Sequence, residues 1–306
     1  MEEIKAFLEH VKGNTYCIVT GYARIPLYRL DDRRVIMIDS GLPKHFDDIL
    51  SVLTEHDLCP VAILTSHAHP DHIGNHAALR QRFGAEIYMT AYSAATRAEP
   101  MNAYAAAIHR TGFRQLRKGG YRIFAPDHIL DWNAPSVTVQ GAEFQLLQLP
   151  GHDAEHLGFV TPDNVAYLSD TLLSPTLVQA LRMPYCVCVE LDLESKKKAA
   201  KLRCNRYILA HSGVYDSIEE IAQANLEAIT QKLNVLESLA DTPIGMDELV
   251  RRYLVVTQSE LDSPRKVVGI HYNVSGYICY LLDEGRLTMQ IEDGMIKYVK
   301  HQPADL

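Results

Sequence analysis

The sequence predicts an α/β layered fold, and three observations carry that prediction. Short apolar runs of strand length alternate with segments whose apolar residues recur at helical spacing. Polar turns such as Pro162-Asp163-Asn164 punctuate the runs. Several of the runs end directly in histidine or aspartate, where a rigid scaffold can fix a side chain and still leave it open to a substrate.

Residues 15–23 and 33–41 form two β-type runs, separated by the polar break Leu30-Asp31-Asp32. Pro43 then opens a segment with Phe46, Ile49, Leu50 and Leu53 on one helical face. Val61-Ala62-Ile63-Leu64 reads as a buried strand, followed by a histidine-rich loop, a short helix over 77–83 and a strand over 85–90. Residues 91–135 break this rhythm as an insertion: an alanine-rich helical stretch, then a basic segment with Arg110, Arg114, Arg117, Lys118 and Arg122. Strands resume over 136–140, 143–149, 157–161 and 164–170, and a basic helix over 194–203 leads to a strand over 206–209. Ile218, Ile221, Ala222, Leu226, Ile229, Leu233 and Leu236 then mark a long amphipathic helix. The tail reads as helix (246–253), helix (268–282) and a hairpin turning at Glu292-Asp293-Gly294. These signals divide the chain into a main domain over 1–240, with its insertion at about 91–135, and an α+β appendage over 241–306.

At 306 residues the chain suits one large domain with a small appendage. Its apolar share of 47% and charged share of 22% are ordinary for a soluble protein. The net charge of -8 disfavours general binding to nucleic acid or anionic membrane. The acidic start, Met1-Glu2-Glu3, does not suit a signal peptide, and no apolar stretch is long enough to span a bilayer. Cys17, Cys59, Cys186, Cys188, Cys204 and Cys279 show no zinc-ribbon or redox spacing, so reduced core thiols and a cytoplasmic location are expected.

The 14 histidines matter through their placement. Ser66-His67-Ala68-His69-Pro70-Asp71-His72-Ile73-Gly74 fits H-x-H-x-D-H, between an expected strand and an expected helix. Imidazole suits zinc, and a carboxylate suits a hard or bridging position. Two histidines one residue apart can converge on one metal, and the Asp-His pair at the helix start can serve a second. His152 after Leu149-Pro150-Gly151, Asp170 after Ala166-Tyr167-Leu168-Ser169, and His211 after Ile208-Leu209-Ala210 repeat the placement at strand ends.

This ordered set resembles the metallo-β-lactamase superfamily over roughly residues 14–215. The resemblance implies an αββα sandwich with metals at one edge. It implies a first metal on His67, His69 and His152, a second on Asp71, His72 and His211, and Asp170 bridging them. Ile38-Asp39-Ser40-Gly41 matches an early Asp-x-Gly element, which makes Asp39 a candidate for orienting the ligands. Asn75 and Ser212 stand where glycine is usual. Two divalent ions are expected, zinc favoured over iron or manganese, and they would supply a hydroxide for attack on a carbonyl or phosphoryl centre. Asp71 could also orient that nucleophile, and His156 is a candidate for proton transfer or ligand support.

Only 41 residues separate Asp170 from His211, too few for the extra domain of the large nucleic-acid-processing members. What remains is similar to the glyoxalase II-like group, acting on small-molecule thioesters, lactones or related esters. Two alternatives use the same ligands: a phosphodiesterase or endoribonuclease, and a non-heme iron oxygenase. The tail resembles the winged-helix appendage of the endoribonucleases. It carries 7 Lys/Arg against 10 Asp/Glu, which argues against phosphate binding and leaves packing, substrate shaping or a homodimer contact. The basic segment of the insertion could hold a carboxylate or phosphate of an anionic substrate. Lys196, Lys197, Lys198 and Lys201 read as a solvated helix face. Tyr92, Tyr104, Phe113 and Trp132 could line an apolar pocket, or fill core.

Overall fold

The computed structural model describes residues 5–106 and 123–301. Seven strands form the first sheet in sequence order: β1 (Phe7–Lys12), β2 (Thr15–Val19), β3 (Arg24–Arg29), β4 (Arg34–Ile38), β5 (Cys59–Leu64), β6 (Glu86–Thr90) and β7 (His128–Leu130). The second sheet has the order β13-β12-β11-β10-β9-β8, from β8 (Ser136–Val139), β9 (Ala142–Gln148), β10 (Leu157–Val160), β11 (Val165–Ser169), β12 (Arg206–Leu209) and β13 (Gly213–Tyr215). β1, β3, β7 and β13 are strands in addition to those expected, β7 lying within the segment 91–135 read as an irregular insertion.

Side-chain alternation along the strands sorts the chain into four layers. In the first sheet, Cys17, Val19, Ile36, Ile38, Ala62 and Leu64 point inward, against Phe144, Phe159, Val165, Tyr167 and Ile208 of the second sheet. Their neighbours Ile18, Val35, Met37, Ile63 and Ile87 point outward, under α1 (Phe46–Glu55) and α3 (His76–Phe83). A short helix, α2 (Pro70–Ile73), lies between those two in the chain. On the far side Ala166, Leu168, Tyr207 and Leu209 meet α7 (Val189–Ala199) and the start of α8 (Glu219–Ser238) through Ala199, Ile218, Ile221 and Ala222. The architecture is therefore the expected αββα sandwich.

Between β6 and β7 lie α4 (Ala91–Ala98) and α5 (Pro100–Ala106), and α6 (Pro175–Ala180) follows β11. Phe113 and the five basic residues of the insertion lie outside the described residues.

Helix α7 begins five residues earlier than its basic run suggests. Val189 and Leu193 supply its apolar face, and Glu190 and Asp192 occupy its first turn, where acidic side chains complement the helix dipole. This shift corrects the reading of its lysines as a solvated face. Lys197, Lys198 and Lys201 are exposed, but Lys196 is buried and donates to Asp192 at 2.6 Å. The six cysteines are all free thiols, with Cys17 and Cys186 buried and Cys279 on the surface rather than in core.

The tail contains α9 (Met246–Val256), α10 (Pro264–Asp283) and the hairpin β14 (Leu287–Glu292) and β15 (Met295–Lys300). One apolar cluster joins Met183, Val189 and Leu193 to Ile229, Leu233, Leu236, Leu249, Tyr253, Val274, Tyr277 and Leu281. The packing is thus continuous across residue 240, and the appendage is seated on the catalytic sandwich through α7 and α8. No helix among the described residues is long and apolar enough to cross a membrane.

Candidate metal centre

Both sheets end at one rim, and all seven candidate ligands named from the sequence meet there. Beyond β5 the chain runs through Thr65 and Ser66 to His67 and His69, and Pro70 at the first position of α2 presets the backbone that turns Asp71 and His72 inward. Gly74 lets this turn close on the Asp39-Ser40-Gly41 corner: a Cβ there would lie 2.4 Å from the Gly41 carbonyl oxygen. Asp170 leaves β11 through Ser169, whose φ of 48° is a left-handed conformation costing roughly 1–3 kcal/mol for a non-glycine residue. Asp39, with φ 63°, makes the equivalent turn beyond β4.

The two carboxylate oxygens of Asp170 face different histidines. Oδ2 lies 3.3 Å from His152 Nε2 and 4.0 Å from His67 Nε2, and His69 Nδ1 is 3.1 Å from His152 Nε2. Oδ1 lies 3.4 Å from His72 Nε2 and 3.3 Å from His211 Nε2, and Asp71 Oδ2 is 3.3 Å from His211 Nε2. Within each set, His67–His69–His152–Asp170 and Asp71–His72–Asp170–His211, the candidate ligand atoms lie within 4.8 Å of one another. Three of these atoms, His67 Nε2, His72 Nε2 and Asp170 Oδ1, are buried without a hydrogen-bond partner. Buried polar atoms are rarely left so, and three aimed at one space fit cations.

The charge balance agrees. Burial opposes an ionised Asp170, yet the His72 and His211 imidazoliums outweigh it and hold the carboxyl well below the usual range. Burial likewise opposes a charged His211, but Asp170 and Asp71 push its pKa up to about 10. Divalent ions would displace those protons and take over the balancing charge. His67 and His152 sit well below the ordinary imidazole value, chiefly through burial, and so offer neutral ligands.

A buried network holds the ligands from behind. Asp39 Oδ2 is 2.8 Å from His72 Nδ1 and accepts from Ser66 Oγ at 2.7 Å and from the Tyr167 hydroxyl at 2.8 Å. Asp39 Oδ1 accepts from the Ser66 amide at 2.8 Å. Ser66 Oγ also lies 3.0 Å from His67 Nδ1 and 2.9 Å from Ser169 Oγ. Asp39 therefore fixes the tautomer of His72 so that Nε2 points at the site. Asp39→Asn is expected to weaken zinc binding by about 10–100-fold, measured by competition with a chelator. Unchanged affinity would show that this network does not orient the ligands.

The two departures from glycine have local explanations. Asn75 Nδ2 donates to the Ser40 and Leu42 carbonyls at 2.7 and 2.9 Å, and Ser212 Oγ accepts from the Ser174 amide at 2.7 Å. His156 is fully buried, its ring centroid 4.8 Å from that of His67. Its Nε2 accepts from the Asp170 amide at 3.4 Å, and burial lowers its pKa to about 3. That placement supports Asp170 from beneath.

Three site-facing aromatics carry no motif that would mark them. Tyr22 donates to Asp71 Oδ2 at 3.3 Å, and its ring stands edge-on to His211 at 4.8 Å. Tyr185 lies 5.5 and 5.2 Å from the His69 and His152 rings and stacks on Tyr272 of α10 at 6.2 Å. Among the aromatics named from the sequence, Tyr92 is half-buried at the start of α4, its amide donating to Glu155 Oε2 at 2.9 Å. Trp132 instead packs against the core between the sheets.

Comparison with known proteins bears on this geometry directly. The family model described as the Metallo-beta-lactamase superfamily matches residues 26–211, which takes in every candidate ligand. The chain belongs to the metallo-β-lactamase superfamily. A hydroxyacylglutathione hydrolase from Albidiferax ferrireducens is 26% identical over 231 residues, 73% of this chain and 78% of the relative. Namesakes from Haemophilus influenzae and Xanthomonas euvesicatoria are 28% and 32% identical over 143 residues. The chain spans only 63% and 44% of those two relatives. A beta-lactamase domain protein from Burkholderia ambifaria shares the fold with a TM-score of 0.70 at 16% identity, over 96% of this chain and 93% of its own. A metallo-beta-lactamase family protein from Thermus thermophilus gives 0.67 at 19%, over 91% and 94%. The likeness in fold to these two structures thus takes in most of the appendage, beyond the residues that the family model matches.

Proposed function

We propose that this metallo-β-lactamase superfamily member hydrolyses a small-molecule thioester, lactone or related ester at a dinuclear, zinc-favouring site. The observation that carries the reading is Asp170, whose two oxygens each address a separate set of histidines. Two divalent ions held there would supply a hydroxide nucleophile at neutral pH and polarise the scissile carbonyl. The likeness to hydroxyacylglutathione hydrolases supports the ester and thioester class. The excess of acidic residues in the tail supports it over a nucleic-acid substrate.

The chain's own groups divide the remaining work. Asp71, on the more open side of the site, orients the nucleophile as well as ligating. His156 positions Asp170. Tyr185 and Tyr272 form a wall beside His69 and His152, so the appendage shapes the substrate's apolar portion. Tyr272→Ala is expected to raise KM roughly three- to tenfold for substrates with an apolar acyl group, with kcat little changed. An unchanged KM across acyl groups would remove the appendage from substrate binding.

A panel of S-lactoylglutathione, acyl thioesters, lactones and bis-(p-nitrophenyl) phosphate, offered to the zinc-loaded protein, tests the substrate class. Turnover of thioesters or lactones that disappears in Asp170→Asn is expected. Turnover of the phosphodiester alone would replace this reading with the phosphodiesterase one, and activity confined to the iron-loaded protein would favour an oxygenase.

A further inference from the structure

The seven ligands are not equally supported. His72, His67 and Asp170 are braced from within the sandwich by Asp39, Ser66 and His156. Asp71 and His211 lie toward solvent, with 19% and 14% of their side chains exposed, and the Asp39 network does not reach them. Both instead meet the same residue, Tyr22, in the turn between β2 and β3. Its backbone carbonyl oxygen lies 3.2 Å from His211 Nδ1, and its hydroxyl donates to Asp71 Oδ2 at 3.3 Å. Its ring stands edge-on to the His211 imidazole, with an interplanar angle of 67°.

The turn is itself fixed. Thr20 Oγ1 accepts from the Ala23 amide at 2.9 Å and from the Tyr22 amide at 3.3 Å, while the Thr20 amide donates to the Ala23 carbonyl at 2.9 Å. One residue later, the Arg24 amide donates to the Ala210 carbonyl at 2.8 Å, tying the turn to the strand end that carries His211. The distance from Tyr22 to His211 is thus set by backbone on both sides.

We infer that Tyr22 is a positioning residue of the second metal subsite, its carbonyl fixing the His211 tautomer and its hydroxyl the Asp71 carboxylate. The chemistry of each contact leads there. A carbonyl oxygen can only accept, so His211 Nδ1 carries the proton and Nε2 is free to ligate. A carboxylate oxygen has two in-plane lone pairs, so Asp71 Oδ2 can accept from Tyr22 and face a cation together. Tyr22 makes neither contact with the His67–His69–His152 set, so its effect falls on one metal of the two.

The inference rests on the dinuclear reading, and the test separates the two. Zinc is titrated into the parent and into Tyr22→Phe against a chromophoric chelator, resolving two dissociation constants. Tyr22→Phe keeps the ring and the carbonyl and removes only the hydroxyl. Because Tyr22 is 46% exposed, the fold tolerates the change, checked by an unaltered metal-free melting curve. The expected result is a second zinc bound about 10–100-fold more weakly with the first constant unchanged. Tyr22→Ala, which also removes the ring beside His211, is expected to widen that gap. Equal weakening of both zincs, or two unchanged constants with a raised KM, would overturn the assignment and place the hydroxyl elsewhere, in the latter case on substrate. A parent protein binding fewer than two zincs would overturn the dinuclear reading itself.

Discussion

Asp170→Asn is expected to reduce bound metal from two ions per chain to one at most, and to lower kcat/KM by about 10³-fold or more. That factor corresponds to ~4 kcal/mol of transition-state stabilisation, the scale of losing a Lewis acid and its activated water. The side chain keeps its shape, so the loss isolates charge and donor type. An amide places an N–H₂ where one histidine set needs an acceptor, whichever way it is turned. With Oδ2 at 3.3 Å from His152 and Oδ1 at 3.3 Å from His211, neither orientation satisfies both sets. Metal analysis beside steady-state kinetics checks the result. Retention of two ions with near-parent turnover would show that Asp170 does not bridge.

Gly151→Ala is expected to destabilise the fold by about 3 kcal/mol or more, from left-handed backbone strain and overpacking together. Gly151 has φ +126°, and a Cβ there would lie 2.2 Å from the Asp192 amide nitrogen and 2.3 Å from its Cα. These are backbone atoms of α7, and they have little room to yield. The Gly151 carbonyl accepts from the Val187 and Cys188 amides at 2.7 and 3.2 Å, Ser195 Oγ donates to the Pro150 carbonyl at 2.6 Å, and the buried Lys196–Asp192 pair sits just behind. Separating α7 from this loop moves His152, the next residue. Thermal unfolding should therefore fall by on the order of 10 °C, and zinc should be lost first from the subsite that His152 serves. A melting curve like the parent's would contradict the packing described here.

The sequence marks the candidate ligands because each is a residue type with few structural roles, at a strand end and in a fixed order. His67, His69, Asp71 and His72 crowd into one short loop and helix start, and His152, Asp170 and His211 each follow an apolar run. The layered fold is legible for a related reason, since alternation in Arg34–Ile38 and Cys59–Leu64 serves two apolar faces and leaves these strands almost wholly apolar. The supporting residues are hidden because their types are ambiguous. Tyr167 reads as a core aromatic, and only the register between the sheets brings its hydroxyl to Asp39. Ser66 and Ser169 become neighbours where the two sheets end together, Ser169 in a left-handed conformation that leaves no compositional trace.

Tyr22, Tyr185 and Tyr272 are separated by most of the chain and meet the rim through tertiary packing alone. Strand β3 contains Pro26, which demotes a run in any reading by propensity. Helix α7 did carry a usable signal: Glu190 and Asp192 ahead of Lys196, Lys197 and Lys198 mark an N-terminus upstream of the basic run. The charge run masked it.

Diffraction at the zinc absorption edge, from crystals of the zinc-loaded protein, tests the central claim most directly. Two anomalous peaks are predicted, one among His67, His69 and His152, the other among Asp71, His72 and His211, with Asp170 touching both. No peak at the rim, or a single peak without contact to Asp170, would contradict the account.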